Sequence, residues 1–164
     1  MSLIYKSKRV GKDGKIFQML KFRTLTNGSD NHIFTDSQSY TRFGKFLRKY
    51  KLDELPQIIN VIKGDMRIFG YRPEEPRTFV ILPSEMRNEL IKYRPGIIDL
   101  SSLYFFNEEK LLQMSGNSQL TYWIKIKPLK FVLQMFYIEN RSWALNLAIL
   151  WIFIKKLLWN FMKK

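Results

Sequence analysis

LDELPQIINVIKGDMRIFGYRP, residues 52–73, sets two adjacent carboxylates, Asp53 and Glu54, ahead of a short apolar run, a Lys63-Gly64 turn and an arginine held between Tyr71 and Pro73. Leu52 to Asn60 reads as the start of a helix. Asp53 suits its N-cap, Glu54 its positive end and Pro56 its first turn. On that reading the dyad is structural. The same residues also suit chemistry: an acidic pair near a cationic anchor fits a site that handles a phosphate ester, with a carboxylate to react or hold metal and an arginine to grip oxygens. Pro73 restricts Arg72 to extended backbone and would aim its guanidinium; a plain Arg-Pro turn is the alternative. The residues by themselves leave both readings open.

Working outward, Gly11 and Gly14 frame Lys12-Asp13 between two apolar-polar segments, which predicts a β-hairpin over 9–25. Lys21 and Arg23 alternate in KFRTL and fall on one side of a strand if the strand persists that far. They can grip a diphosphate or be solvated. Thr26 to Thr41 is polar and reads as a loop; it carries the only histidine, His32, a poor metal candidate without partner ligands. Phe43, Phe46, Leu47 and Tyr50 follow helical spacing between cations, predicting an amphipathic basic helix that covers a core or rests on anionic headgroups.

Beyond the opening stretch, Met66 to Phe69 reads as a short strand and Ser84 to Tyr93 as a helix. Tyr93-Arg94-Pro95-Gly96-Ile97 is a second Arg-Pro element. Residues 142–164, SWALNLAILWIFIKKLLWNFMKK, are the most lipid-like part. Their uninterrupted apolar run, Leu147 to Ile154, is shorter than the ~18 residues of a spanning helix, so the chain is expected not to cross a bilayer. On a helical wheel Asn146, Lys156, Asn160, Lys163 and Lys164 share one arc, with Lys155 outside it. Trp143, Trp151 and Trp159 beside lysines is interfacial composition, with a core helix as the competitor.

The bulk numbers set limits. At 164 residues one domain with one core is expected over 1–164. Hydrophobic content of 46% with 15% aromatic residues excludes a disordered chain. No cysteine is present, which excludes disulfides and thiolate metal sites. The net charge of +14 calls for an anionic partner. That charge is uneven: residues 1–51 hold twelve Lys or Arg against three acids, a local +9.

Residues 52–73 as a whole resemble the signature of the bacterial sugar transferases, the monotopic phosphoglycosyl transferases that start glycan assembly on a polyprenyl phosphate. RVGKDGKIFQMLKFRTL is similar to the family's early hairpin, YRPEEP to its Arg-Pro element, YRPGI to its Pro-Gly-Ile element, and YIENRS to the stretch before its last helix. The resemblance implies an α+β, mostly helical domain at a membrane surface, with a short N-terminal β-hairpin and amphipathic helices. It implies transfer of a sugar-1-phosphate from a nucleotide diphosphate-sugar to a polyprenyl (undecaprenyl) phosphate. Asp53 would be the nucleophile that forms a phosphosugar-aspartyl intermediate, and Asp53 and Glu54 would hold Mg²⁺. Arg72, Lys21 and Arg23 would bind substrate phosphate. Localisation at an anionic surface, the cytoplasmic face of the bacterial inner membrane, follows from the same resemblance.

The sequence differs from the family pattern at several points. The family's apolar N-terminal helix does not precede the hairpin, so docking is expected to fall to the basic helix and residues 142–164. Tyr71 replaces the first proline of a Pro-Arg-Pro element. Ile98-Asp99 stands for a usual Thr-Gly, and Gln134 and Asn146 for two usual aspartates. These differences keep a second reading open, a non-catalytic member acting at a membrane or on a partner. A basic nucleic-acid-binding module is a third, without a recognisable recognition motif; no nucleic acid is expected.

Overall fold

A computed structural model describes residues 2–26 and 40–162. His32 and most of the polar stretch between Thr26 and Thr41 lie outside the described residues. Ile4–Val10 (β1) and Ile16–Phe22 (β2) pair antiparallel, Val10 opposite Ile16 and Ile4 opposite Phe22. Asp13 and Gly14 turn the chain with positive φ of 58° and 72°. The hairpin therefore starts earlier than the expected residue 9 and ends before residue 25. The reason lies in β1, whose polar residues give no apolar alternation to announce a strand. On β2 the alternation is real: Phe17 and Met19 are buried and pack with Met66 beside Val61 and Ile97.

Arg42–Lys49 forms α1, capped by Thr41, whose Oγ1 accepts from the Gly44 amide at 2.8 Å. Leu47 and Tyr50 are buried, whereas Phe43 and Phe46 are exposed. Gln57–Ile62 forms α2, and it is built inside out: Gln57 and Asn60 are buried, while Ile58, Ile59 and Ile62 face outward. Asn60 explains the inversion. Its Oδ1 accepts from the Leu20 amide at 3.1 Å and its Nδ2 donates to the Gln18 carbonyl at 2.8 Å, fastening α2 to the hairpin.

Arg67–Phe69 (β3) and Gly96–Ile98 (β4) then pair in parallel, Arg67 opposite Gly96 and Phe69 opposite Ile98. Two glycines allow this. A Cβ on Gly96 would lie 2.1 Å from the Gly70 nitrogen, and one on Gly70 would lie 2.5 Å from the Gly96 nitrogen. The two Arg-Pro elements are thereby locked together, with the Gly96 amide donating to the Tyr71 carbonyl at 2.9 Å. Tyr71 itself is a core residue at 2% exposure.

Between these strands lie Pro76–Phe79 (α3) and Ser84–Leu90 (α4); after them come Leu100–Tyr104 (α5), Glu108–Gln113 (α6) and Ser118–Thr121 (α7). A π-helical turn over Tyr122–Ile126 leads into Lys127–Asn140 (α8), and Trp143–Met162 forms α9. The main core gathers Tyr71, Leu82, Leu90 and Leu103 around Tyr137 and Ile138 of α8 and Ile149 of α9. A smaller cluster joins Phe105, Leu112, Tyr122 and Ile126. The chain is α+β and mostly helical.

The last helix sharpens the reading of residues 142–164. At 20 residues, with a mean hydropathy of 1.4 over an 18-residue stretch, α9 is by length and composition long and apolar enough to cross a bilayer, although no uninterrupted apolar run in it is. At 1.5 Å per residue it is about 30 Å long. Asn146, Lys156 and Asn160 of its polar arc point into the domain; Lys163 and Lys164 lie outside the described residues. Asn146 Oδ1 accepts from the Tyr137 hydroxyl at 2.8 Å, Lys156 Nζ donates to the Leu103 carbonyl at 2.7 Å, and Asn160 Nδ2 donates to the Lys49 carbonyl at 3.4 Å. Trp143, Trp151 and Trp159 lie exposed instead, and Ile149 is the one fully buried apolar side chain among the described residues of α9.

Candidate active site

Lys51 adopts left-handed backbone at φ 56°, which stops α1 and turns the chain. Leu52–Glu54 follow as a single 3-10 turn, and α2 begins only at Gln57 with Pro56 ahead of it. Asp53 therefore caps nothing, and the expected N-cap role is corrected. Left-handed Lys51 precedes the turn and Pro56 precedes α2, so the residues at the two N-terminal positions are Lys51 and Pro56, with no side-chain cap. What remains is a carboxylate at 7% exposure whose Oδ1 is buried without a hydrogen-bond partner. An unpartnered buried acceptor carries a desolvation cost.

Glu54 is fully engaged by contrast. Lys21 Nζ from β2 donates to its Oε1 at 2.7 Å, and Arg72 Nη1 lies 3.7 Å from the same oxygen. Burial disfavours the charged form of Glu54, yet Lys21 and Arg72 outweigh it and hold the carboxyl well below the ordinary carboxylate range. Asp53 moves the other way. Burial raises it, Glu54 adds to the rise, and Lys21 offsets part of it. Two neighbouring carboxylates are thus driven apart, one fixed as an anion and the other poised. Such splitting marks sites of proton or group transfer.

Arg72 is aimed by the parallel strand pair. Its Nη1 donates to Ser102 Oγ at 2.8 Å and sits 3.7 Å from Asp99 Oδ2. Although burial alone would lower it, Glu54 and Asp99 hold the guanidinium above its ordinary value. Lys21 is pushed down by burial, with Glu54 opposing. The structure thus brings together Asp53, Glu54, Lys21 and Arg72. Arg23 is elsewhere: β2 ends at Phe22, and the Arg23 Nε donates to the Ser2 carbonyl at 3.2 Å with its guanidinium over the Tyr5 ring.

Ser102 and the buried cations behind the site escaped the sequence reading. Lys127 Nζ donates to Glu74 Oε2 at 2.6 Å, and Lys130 Nζ donates to Glu108 Oε2 at 2.6 Å. Both lysines are 5% exposed and lie against aromatic rings, Lys127 over Phe131 and Lys130 over Tyr122. Arg9 pairs with Glu75 at 3.1 Å on the hairpin side. The readable signal was two lysines three apart within an apolar helix, with two acids upstream to match them. Gln134, one turn further along α8, is buried with both amide atoms unpartnered.

The two-carboxylate set fits a magnesium ion in its usual form, bound by one or two carboxylates with substrate phosphates completing the shell. Asp53, whose Oδ1 is buried without a hydrogen-bond partner, and Glu54 are the residues that would hold it. Among the described residues no group of three or more His, Cys, Asp or Glu forms an all-protein cage.

Comparison with known proteins places the chain in a family. The family model described as bacterial sugar transferase matches residues 1–160. The uncharacterised sugar transferase EpsL of Bacillus subtilis is 32% identical over 158 residues, covering 95% of this chain and 70% of that protein. The UDP-N-acetylgalactosamine-undecaprenyl-phosphate N-acetylgalactosaminephosphotransferase of Aeromonas hydrophila is 40% identical over 104 residues, 58% of this chain and 24% of that protein. The UDP-glucose:undecaprenyl-phosphate glucose-1-phosphate transferase of Escherichia coli is 35% identical over 106 residues, 58% of this chain and 22% of that protein. The chain thus spans most of the first and about a quarter of the other two. On the match of nearly its full length, the chain belongs to the bacterial sugar transferase family.

Proposed function

We propose that the protein transfers a sugar-1-phosphate from a nucleotide diphosphate-sugar to a polyprenyl phosphate, with Asp53 as a covalent nucleophile. The observation that carries the proposal is the contrast within the dyad: Glu54 is bound by Lys21 and faced by Arg72, while the buried Asp53 Oδ1 is left without a partner. An Asp53 oxygen attacks the phosphorus that bears the sugar. The P–O bond to the nucleotide phosphate breaks, nucleoside monophosphate leaves, and an acyl phosphate forms. A phosphate oxygen of the polyprenyl acceptor then attacks the same phosphorus and expels the Asp53 carboxylate, leaving a lipid-diphosphate-sugar. Splitting one transfer into two lowers each barrier.

Lys21 and Arg72 supply the charge that such a transfer demands, since phosphoryl transfer is catalysed chiefly by positioning and electrostatic stabilisation. Arg72 offers planar N–H groups to phosphate oxygens, and Lys21 keeps Glu54 ionised and placed. Magnesium, when bound at Asp53 and Glu54, would neutralise diphosphate charge. A relative named for an undecaprenyl-phosphate acceptor supports the choice of polyprenyl acceptor.

The acceptor places the reaction at a membrane, and the outward surface suits one. On α9 the tryptophans face out, on α2 the isoleucines do, and on α1 Phe43 and Phe46 do. Helices α1 and α9 meet where Tyr50 stacks on Phe161 at 4.0 Å, beside Lys45 and Lys49. Apolar and aromatic residues next to cations suit the anionic cytoplasmic face of the bacterial inner membrane.

Purified chain in detergent or nanodiscs, given Mg²⁺, undecaprenyl phosphate and UDP-galactose, UDP-glucose or UDP-N-acetylgalactosamine, tests the proposal. Wild-type chain should release UMP, and Asp53→Ala should not. Without acceptor, release should stop near one UMP per chain. No release above the Asp53→Ala control with any of the three donors would sink the reading in favour of a non-catalytic member.

A further inference from the structure

We infer that Asp99 is a positioning residue whose carboxylate holds Arg72 away from Glu54 and keeps its guanidinium open to substrate phosphate. The inference rests on the proposed phosphate-handling role of Glu54 and Arg72, and adds a residue that this reading leaves unused.

Arg72 Nη1 lies 3.7 Å from Glu54 Oε1 and 3.7 Å from Asp99 Oδ2. Neither separation is a hydrogen bond; the hydrogen bond goes to neutral Ser102 Oγ at 2.8 Å. Two anions at equal distance pull on the cation without either capturing it. Asp99 is 2% exposed, and its two oxygens are divided in use. Oδ1 caps α5 by accepting from the Ser102 amide at 2.7 Å and from the Ser101 hydroxyl. Oδ2 has no hydrogen-bond partner and faces Arg72. One side chain therefore sets both tethers of the arginine, the serine that it fixes by the backbone and the charge that it presents directly.

Without that charge, Arg72 would be left to Glu54. Arginine and carboxylate close into a short forked pair when nothing opposes them, which would turn the N–H groups away from a diphosphate. A helix cap alone does not need the charge, because Asn caps as well as Asp. Asp99→Asn therefore separates the two roles. It also sets two expectations of opposite sign. Removing an anion near a phosphate site should tighten anion binding by simple electrostatics, whereas losing the counter-pull on Arg72 should weaken it.

The experiment uses the full chain in nanodiscs with UDP and Mg²⁺ as the probe. Isothermal titration gives affinity, near-UV circular dichroism checks folding, and a crystal structure or arginine side-chain NMR reads the Arg72 to Glu54 approach. Asp99→Asn should weaken UDP binding about tenfold, with Arg72 drawn into direct contact with Glu54. Asp99→Glu should recover part of the loss. Equal or tighter UDP binding by Asp99→Asn would overturn the inference. If that variant does not fold, Ser102→Ala decides in its place, with weaker binding expected and unchanged binding overturning it. The expected order of affinities in a chain that releases no UMP would overturn the transferase reading and leave Asp99 its role. UMP turnover with affinity and KM unmoved by Asp99→Asn would do the reverse. A wild-type chain that binds no UDP would overturn both.

Discussion

Lys21 on the hairpin donates to Glu54 on the 52–73 segment at 2.7 Å, joining two stretches of chain that meet through this charge and through Asn60. The side chains are 19% and 17% exposed, so water screens the pair little. Removing Lys21 would leave a buried anion short of its closest partner. Lys21→Met is expected to destabilise the fold by roughly 3 kcal/mol, measured by urea unfolding in detergent. A loss below about 1 kcal/mol would show the pair to be effectively solvated.

Glu54 and Asp53 should leave opposite marks on stability against pH. Glu54 is depressed in the folded chain, so its contribution is present above its ordinary value of 4.5 and is lost as pH falls below that. Asp53 is raised, so its contribution is complete below its ordinary value of 3.8 and is lost as pH climbs. At pH 7 the Asp53 carboxyl therefore costs stability. Asp53→Asn should raise Tm by about 2–4 °C while abolishing UMP release. Glu54→Gln should flatten the fall in Tm under acid. Scanning fluorimetry between pH 3 and 8 reads both, and an unchanged or lowered Tm for Asp53→Asn contradicts the assignment.

Gly96→Ala places a methyl group where the Gly70 nitrogen lies 2.1 Å away, so β3 and β4 must separate. Arg72 follows two residues after Gly70 and moves with it. A displacement of about 1 Å at a phosphate clamp can cost 100-fold in rate, and UMP release should drop at least that far. Retained turnover would mean that Arg72 is aimed by Ser102 and Asp99 without the strand pair.

Behind the site, Glu74 and Lys127 form a pair with side chains only 6% and 7% exposed. Breaking it by Glu74→Ala should destabilise by about 3–5 kcal/mol, because the ammonium is left buried alone. Replacing both, with Glu74→Leu and Lys127→Met, should restore most of that loss. Urea midpoints of the three variants decide it; additive losses would show that the residues act separately.

Trp151→Ser and Trp159→Ser together remove two exposed rings from α9, neither of them a member of the main core cluster. Co-sedimentation with vesicles containing phosphatidylglycerol should fall at least tenfold, while the fold is kept. Undiminished binding would move the membrane contact to α1 and α2.

The dyad and Arg72 were legible because their motif is local and unbroken from Leu52 to Pro73. Lys21 was readable from alternation along one strand, and the same logic failed for Arg23 because β2 stops one residue sooner. Ser102 was hidden, since it reaches Arg72 only through a parallel pairing of three-residue strands, too short to leave a pattern. Lys127 and Lys130 gave no sequence sign of burial, since lysine is ordinarily a surface type; packing against Glu74, Glu108 and two rings decides their place. For α9 the wheel gave an arc but not a side. Periodicity fixes which residues share a face and is silent on whether that face meets protein or lipid.

That inversion in α9 has a thermodynamic consequence. A tail anchored by its own apolar residues can leave a bilayer without disturbing the domain that it carries. Here Asn146, Lys156 and Asn160 bind the helix to Tyr137, Leu103 and Lys49, so folding and partitioning share the same element. On the proposed membrane-surface reading, a bilayer would act as a ligand of the native state. Its concentration becomes a variable in the unfolding equilibrium, and the melting temperature becomes a titration of lipid.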